Sequence, residues 1–135
     1  MPNTQAIGVA YSDPEFTTCY ASQELGYSAA AQGTVTQATD KSTGVTLNKS
    51  AGRITMNNAA LAGATAVSFT LTNSTISAND AIVVNVSGGG TAAAYTTYIS
   101  SMTAGSAVVT LRNLTASTSL SEAVVLNFAI IHGAS

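Results

Sequence analysis

Tryptophan is absent from this chain, cysteine occurs once, proline twice, and only 7% of the 135 residues carry a charge. An ordinary soluble domain has roughly 25% charged residues. Each shortage removes an explanation. With Cys19 alone, no intrachain disulfide can form, so the fold rests on its core. Four bases stand against six acids, and Lys41, Lys49, Arg53 and Arg112 are scattered. That leaves no basic footprint for nucleic acid. No apolar run is long enough to span a membrane, so no membrane is expected as a partner. The start, MPNTQAIGVAYSD, lacks the basic and continuous apolar regions of a secretory signal, which predicts synthesis and assembly in a cytoplasm.

Ser, Thr, Ala, Val and Gly fill the space that charge leaves. Hydrophobic residues make up 46%, but much of that is alanine, and aromatics are only 6%. A core of Val, Ile, Leu and three Phe is thin, as between two close-packed sheets. The length suits one domain with one core. A surface so poor in charge has few groups for acid–base chemistry and suits a protein that sits against another protein.

Residues 1–32 differ from the rest. They hold Pro2, Asp13 and Pro14, an alanine run at 29–31, and Tyr11, Tyr20 and Tyr27. Half the acids lie there and no base does. Periodicity is weak, and the Asp-Pro step favours a turn. The segment reads as an extended N-terminal arm that docks on its own domain, a neighbouring subunit or a larger assembly. Ile7, Val9, Tyr11, Phe16 and Tyr20 are its candidate contact residues.

Residues 33–135 read as one β-domain. Strands are expected at 34–37, 45–48, 53–57, 66–73, 82–86, 95–100, 108–112 and 122–131, with turn chemistry between them. The clearest alternation puts Val67, Phe69 and Leu71 on one side and Ser68, Thr70 and Thr72 on the other. Ser50, Ala51 and Gly52 read as a turn, as do Asn79 with Asp80 and Ala104 with Gly105. The last strand is apolar on both faces, which predicts a central place in a sheet or a subunit interface. Val125 and Ile131 on its outer face are the interface candidates. About eight short strands at this spacing predict an all-β, antiparallel β-sandwich, jelly-roll-like or Greek-key.

Chemistry-bearing residues are sparse. His132 reads as a surface side chain near the end of the sequence, and Asp40, Asp80 and Glu122 as turn punctuation. Neither a cofactor nor a metal is expected, and no enzyme activity. Gly88, Gly89 and Gly90 lack the Lys-Ser/Thr of a phosphate loop, so they read as a flexible connector whose tip is able to contact a partner. Tyr95 and Tyr98 suit either strand packing or a sugar-stacking platform. Asn-x-Ser/Thr triplets at Asn48, Asn73, Asn85 and Asn113 follow from composition alone.

The runs GTVTQATDKSTGVTLNKSAGRITMNNAAL (33–61), VSFTLTNSTI (67–76), DAIVVNVSGGGTAAAY (80–95), AGSAVVTLRN (104–113) and SLSEAVVLNFAII (119–131) resemble small virion proteins of tailed bacteriophages. The opening GVAYSDPEF (8–16) is similar to N-terminal starts on such proteins. The resemblance implies a capsid decoration (cement) protein on the virion surface, a homotrimer that binds the major capsid protein. It also implies a rival, a tail-fibre or receptor-binding module that recognises host glycan through the glycine loop and Tyr95.

Overall fold

Apolar residues alternating with hydroxyl residues bury one face of an extended chain and leave the other wet. A computed structural model, which describes residues 16–133, shows where those faces meet. After a single 3-10 turn at Ala29–Ala31 come eight strands. They are β1 (Gln32–Thr36), β2 (Val45–Thr46), β3 (Ala51–Thr55), β4 (Ala66–Thr72), β5 (Ala81–Gly88), β6 (Tyr95–Thr103), β7 (Ser106–Asn113) and β8 (Val125–Ile131). Two four-stranded sheets result, in the orders β1-β3-β8-β5 and β2-β4-β7-β6. The protein is all-β, a sandwich of about eight strands, as the sequence predicts.

The sheets are mixed, not purely antiparallel. β1 pairs with β3 in parallel and β2 with β4 in parallel, while the β3–β8, β4–β7, β5–β8 and β6–β7 pairs are antiparallel. The first four strands alternate between sheets, so the chain coils and returns to each sheet in the same direction. The last four behave as one long hairpin folded across both sheets. β6 and β7 meet at the turn of Ala104 and Gly105 (φ +81°), and β5 and β8 pair outside them. Alternation identifies a strand and its buried face but not its neighbour, which is why direction was illegible.

Phe69 and Leu71 of β4, Val109 and Leu111 of β7, and Leu126, Phe128 and Ile130 of β8 fill the space between the sheets. Met56, Leu61, Ile76 and Val124 close it from the loops. On the outer face of the second sheet hydroxyls bond across strands, with Ser68 to Thr110 at 2.8 Å and Thr110 to Ser100 at 3.0 Å.

The expected turn at Ser50–Gly52 is a strand start instead, because Ala51 and Gly52 open β3. Gly52 sits in register between Gly33 and Phe128. A Cβ on it would lie 2.7 Å from Leu47 Cδ2, 2.8 Å from the Gly33 carbonyl oxygen and 3.0 Å from Phe128 Cε1. The glycine thus makes a hollow for Leu47 and the Phe128 ring, and overpacking such a site costs about 1–3 kcal/mol. Gly52→Ala is expected to lower unfolding free energy by about that much in urea titration. Gly26→Ala, where a Cβ meets nothing within 4 Å, should stay within about 0.5 kcal/mol of wild type. Equal effects from both substitutions would refute the packing account.

Candidate functional site

The residues singled out in the sequence fall into separate places. Ile7, Val9 and Tyr11 lie outside the described residues. Phe16 and Tyr20 are 66% and 93% exposed, on a segment without strand or helix. Leu25 beside them is 88% exposed. The arm touches the domain at Tyr27, whose hydroxyl donates to the Ile130 carbonyl and whose own carbonyl accepts from Gln32 Nε2 at 2.9 Å. A groove of about 530 Å³ lies where Gly26 and Tyr27 pass β1, β3 and β8, with the Arg53 side chain on its wall. Arg53 Nε donates to Asn127 Oδ1 at 3.3 Å.

β8 is central in its sheet, as its two-faced apolar pattern predicts. Its inner face is buried, whereas on its outer face Val125 is half-buried and Ile131 is 61% exposed. Val83 on β5, 55% exposed, lies on the same outer face, diagonal to Ile131 across the pair.

Within the glycine loop, Gly89 and Gly90 stand close to neighbouring groups, whereas a Cβ on Gly88 would meet nothing within 4 Å. Gly88 ends β5 at a register shift opposite Val125. Gly89 has φ +73°, and a Cβ there would lie 2.2 Å from the Ala123 carbonyl oxygen. A Cβ on Gly90 would lie 2.8 Å from the Tyr95 ring. Tyr95 itself is 9% exposed, so its ring faces the core and not solvent. Its hydroxyl donates to Glu122 Oε2 at 2.8 Å. Tyr98, on the outer face of the second sheet, is 47% exposed.

Around Tyr95 lies a polar cluster that sequence reasoning missed. Glu122 accepts from the Thr91 backbone N–H at 2.9 Å and the Thr91 hydroxyl at 2.7 Å. These donors, with Tyr95, hold its carboxyl below the usual range. Lys41 is only 3% exposed, and its ammonium donates to the carbonyls of Asn57 and Glu122. Burial lowers its pKa while the Glu122 charge opposes the shift. Burial also raises the Tyr95 phenol, reinforced by the bond to Glu122. Gln37 Nε2 reaches the Lys41 and Thr43 carbonyls at 3.1 and 2.9 Å. The cluster ties loops together at one end of the sandwich, and its donors and acceptors are occupied by one another.

Asp80 and His132 form a second cluster. Asp80 is fully buried and accepts from the Ser77 N–H (2.7 Å), the Ser77 hydroxyl (2.8 Å) and the Gly133 N–H (3.0 Å). His132 Nδ1 lies 3.1 Å from its Oδ2. Asp80 is therefore turn punctuation, and His132 is a partner of that turn rather than a free surface side chain. Ser, His and Asp meet here, but the carboxylate receives both the Ser77 hydroxyl and the imidazole. A nucleophilic triad needs the imidazole on the hydroxyl, so this geometry clamps a turn and activates nothing. Among the described residues no three His, Cys, Asp or Glu side chains gather as metal ligands.

Two of the Asn-x-Thr triplets have a structural use. Asn73 and Asn113 are completely buried. Asn113 Nδ2 donates to the Leu61 and Thr118 carbonyls, both at 2.9 Å, and its Oδ1 accepts from the Thr115 N–H and hydroxyl. Asn73 repeats the pattern with Thr75 and the Lys49 carbonyl. The Asn-x-Thr spacing, read in the sequence as a product of composition, is the signal able to find them, since the Asn Oδ1 accepts from the N–H and hydroxyl of the Thr two residues on.

No protein family, curated protein or solved structure matches this chain.

Two measurements test these clusters. Asn113→Ala orphans buried carbonyls and N–H groups, so equilibrium unfolding should show a loss of about 1–3 kcal/mol. For Asp80, the Ser77 N–H leads in depressing the carboxyl to about 2 from 3.8, against the opposing effect of burial. The Ser77 hydroxyl, Gly133 N–H and His132 add to the depression. A depressed carboxylate contributes stability above its unfolded value and loses it as pH falls through the folded one. The unfolding midpoint should therefore drop between about pH 4 and about pH 2, and Asp80→Asn should flatten that drop. An unchanged slope in the variant would remove Asp80 from the account.

Proposed function

We propose that this protein is a non-enzymatic phage capsid decoration protein, which binds the major capsid protein on the virion surface and reinforces the shell. The observation that carries the reading is the arm. Phe16, Tyr20 and Leu25 stand exposed ahead of a sandwich whose buried polar side-chain atoms, among the described residues, are all bonded. Apolar side chains held in water favour burial against another surface. The charge-poor outer faces fit the same use, because desolvating a Thr or Ser surface costs less than desolvating charge. The resemblance of the sequence to small tailed-phage virion proteins supplies the capsid as partner, and a homotrimer is the proposed state. The mechanism is additive: each copy bridges capsid subunits, and separating them requires breaking its contacts as well.

The receptor-binding reading rests on Tyr98 more than on Tyr95, whose ring is enclosed. Copy number separates the two readings. Quantitative mass spectrometry of purified virions against the major capsid protein should find hundreds of copies, on the order of the shell's own lattice. A few to tens, of roughly tail-fibre stoichiometry, would favour the receptor-binding reading, and absence from the particle would end both. Deleting residues 2–25, which spares the anchor at Tyr27, should abolish capsid attachment while circular dichroism shows the sheets intact. Attachment at wild-type occupancy would overturn the role of the arm.

A further inference from the structure

The four sheet edges are unequally protected. β1 runs beside the chain's own 3-10 turn, where Gln32 Nε2 bonds the Tyr27 carbonyl and Lys49 Nζ the Ala30 carbonyl, both at 2.9 Å. β2 has only two residues. β6 is interrupted by a register shift between Ile99 and Ser101, a device that spoils pairing at an edge. β5 is guarded less: its own register shift lies at its far end, between Val86 and Gly88, where the chain turns to β6, which packs against it from the other sheet. Over 81–86 it matches β8 residue for residue, carries no charge and no proline, and shifts register only after Val86. Among the described residues no backbone hydrogen bond reaches its other side. A regular uncharged edge of this kind is a template for another strand.

The same chain carries a segment able to fill it. Residues 16–26 are exposed and belong to no sheet. In an extended conformation Phe16, Thr18 and Tyr20 fall on one side. Residues 16–25 hold one acid, Glu24, and no base, so nothing in them repels β5. The arm joins the domain at β1, and β5 is the opposite edge of that sheet. An arm that leaves one edge and an acceptor on the other give a head-to-tail contact, which repeats until a ring closes.

We propose that residues 16–25 of one copy add as a strand to β5 of the next, forming a closed homo-oligomer in which Phe16 and Tyr20 cover Val83 and Ile131. The backbone of 81–86 supplies the hydrogen bonds, and the apolar outer face supplies the packing. This goes beyond the decoration reading and stands without a capsid.

Light scattering on the purified full chain tests it with two full-length variants. Phe16→Asp with Tyr20→Asp spoils the arm, whose side chains support nothing in their own domain. Val83→Lys guards the edge. The wild type should be oligomeric and each variant monomeric. Mixed, the two variants should form a one-to-one heterodimer, since one keeps the edge and the other the arm. Amide exchange at 81–86 should be at least about tenfold slower in the wild type than in the arm variant. A monomeric wild type, an arm variant that stays oligomeric, or monomeric variants that fail to complement would each overturn the proposal. Should Val83→Lys not fold, the arm variant decides alone. Capsid attachment is scored separately: a ring that does not attach counts against decoration and leaves the ring standing, whereas a monomeric wild type that attaches overturns the ring and leaves decoration standing.

Discussion

The pairing of β8 on both sides is the constraint from which the rest of the fold follows. Leu126, Phe128 and Ile130 on its inner face are almost completely buried, and its two edges hold β3 and β5 together. Without it, β1 and β3 are a parallel pair with no antiparallel neighbour, and β5 is a lone strand of that sheet. This strand comes last among the eight. The sheet therefore needs contacts between distant parts of the chain, whose loop-closure entropy is lost before the core forms. A thin core offsets that loss only if it is well packed, hence the glycine hollow that admits Leu47 and Phe128.

Charge scarcity reshapes how the ends of the sandwich are closed. A typical surface surrounds its loops with solvated ions, but here three of the few charges, Lys41, Asp80 and Glu122, tie loops together, and Lys41 and Asp80 are buried. Lys41 binds two carbonyls, Glu122 collects Thr91 and Tyr95, and Asp80 gathers Ser77, His132 and Gly133. Asn73 and Asn113 do the same work without charge. Each bond in isolation adds little, about 1 kcal/mol net, yet leaving any partner unmade costs more. These clusters hold loops at both ends and leave the sheet faces to hydroxyls and small apolar groups.

That division places the reactive-looking residues in structural use and leaves the surface to association. Ser77, Asp80 and His132 meet in an order that serves a turn. Gly89, Gly90 and Tyr95 are wedged against residues 122–125. What faces outward is an arm with Phe16, Tyr20 and Leu25, an uncharged edge at β5, and an apolar patch at Val83 and Ile131. Each of these is costly in water and inexpensive against another chain, and that asymmetry underlies both the proposed capsid role and the proposed ring.

Local pattern carried a good deal of this. The buried set Val124, Leu126, Phe128 and Ile130 and the alternation through Phe69 and Leu71 were legible because side chains on a strand alternate with period two. All eight strands fall near their expected positions for the same reason, and the two-sided apolar character of β8 predicted a central strand or a subunit interface, of which the sheet order bears out the first. Ser50, Ala51 and Gly52 misled because a glycine used for close approach has the composition of a turn. Lys41 read only as one of four scattered bases, since nothing nearby in sequence announces carbonyls contributed by Asn57 and Glu122. The sequence by itself determined the strands, their inward faces and the thinness of the core, all properties of short stretches of chain. The parallel pairings, the burial of Lys41 and Tyr95, the clamp on Asp80 and the bare edge of β5 were decided only by the tertiary structure. Each depends on which distant segment arrives alongside, and period-two alternation is blind to that.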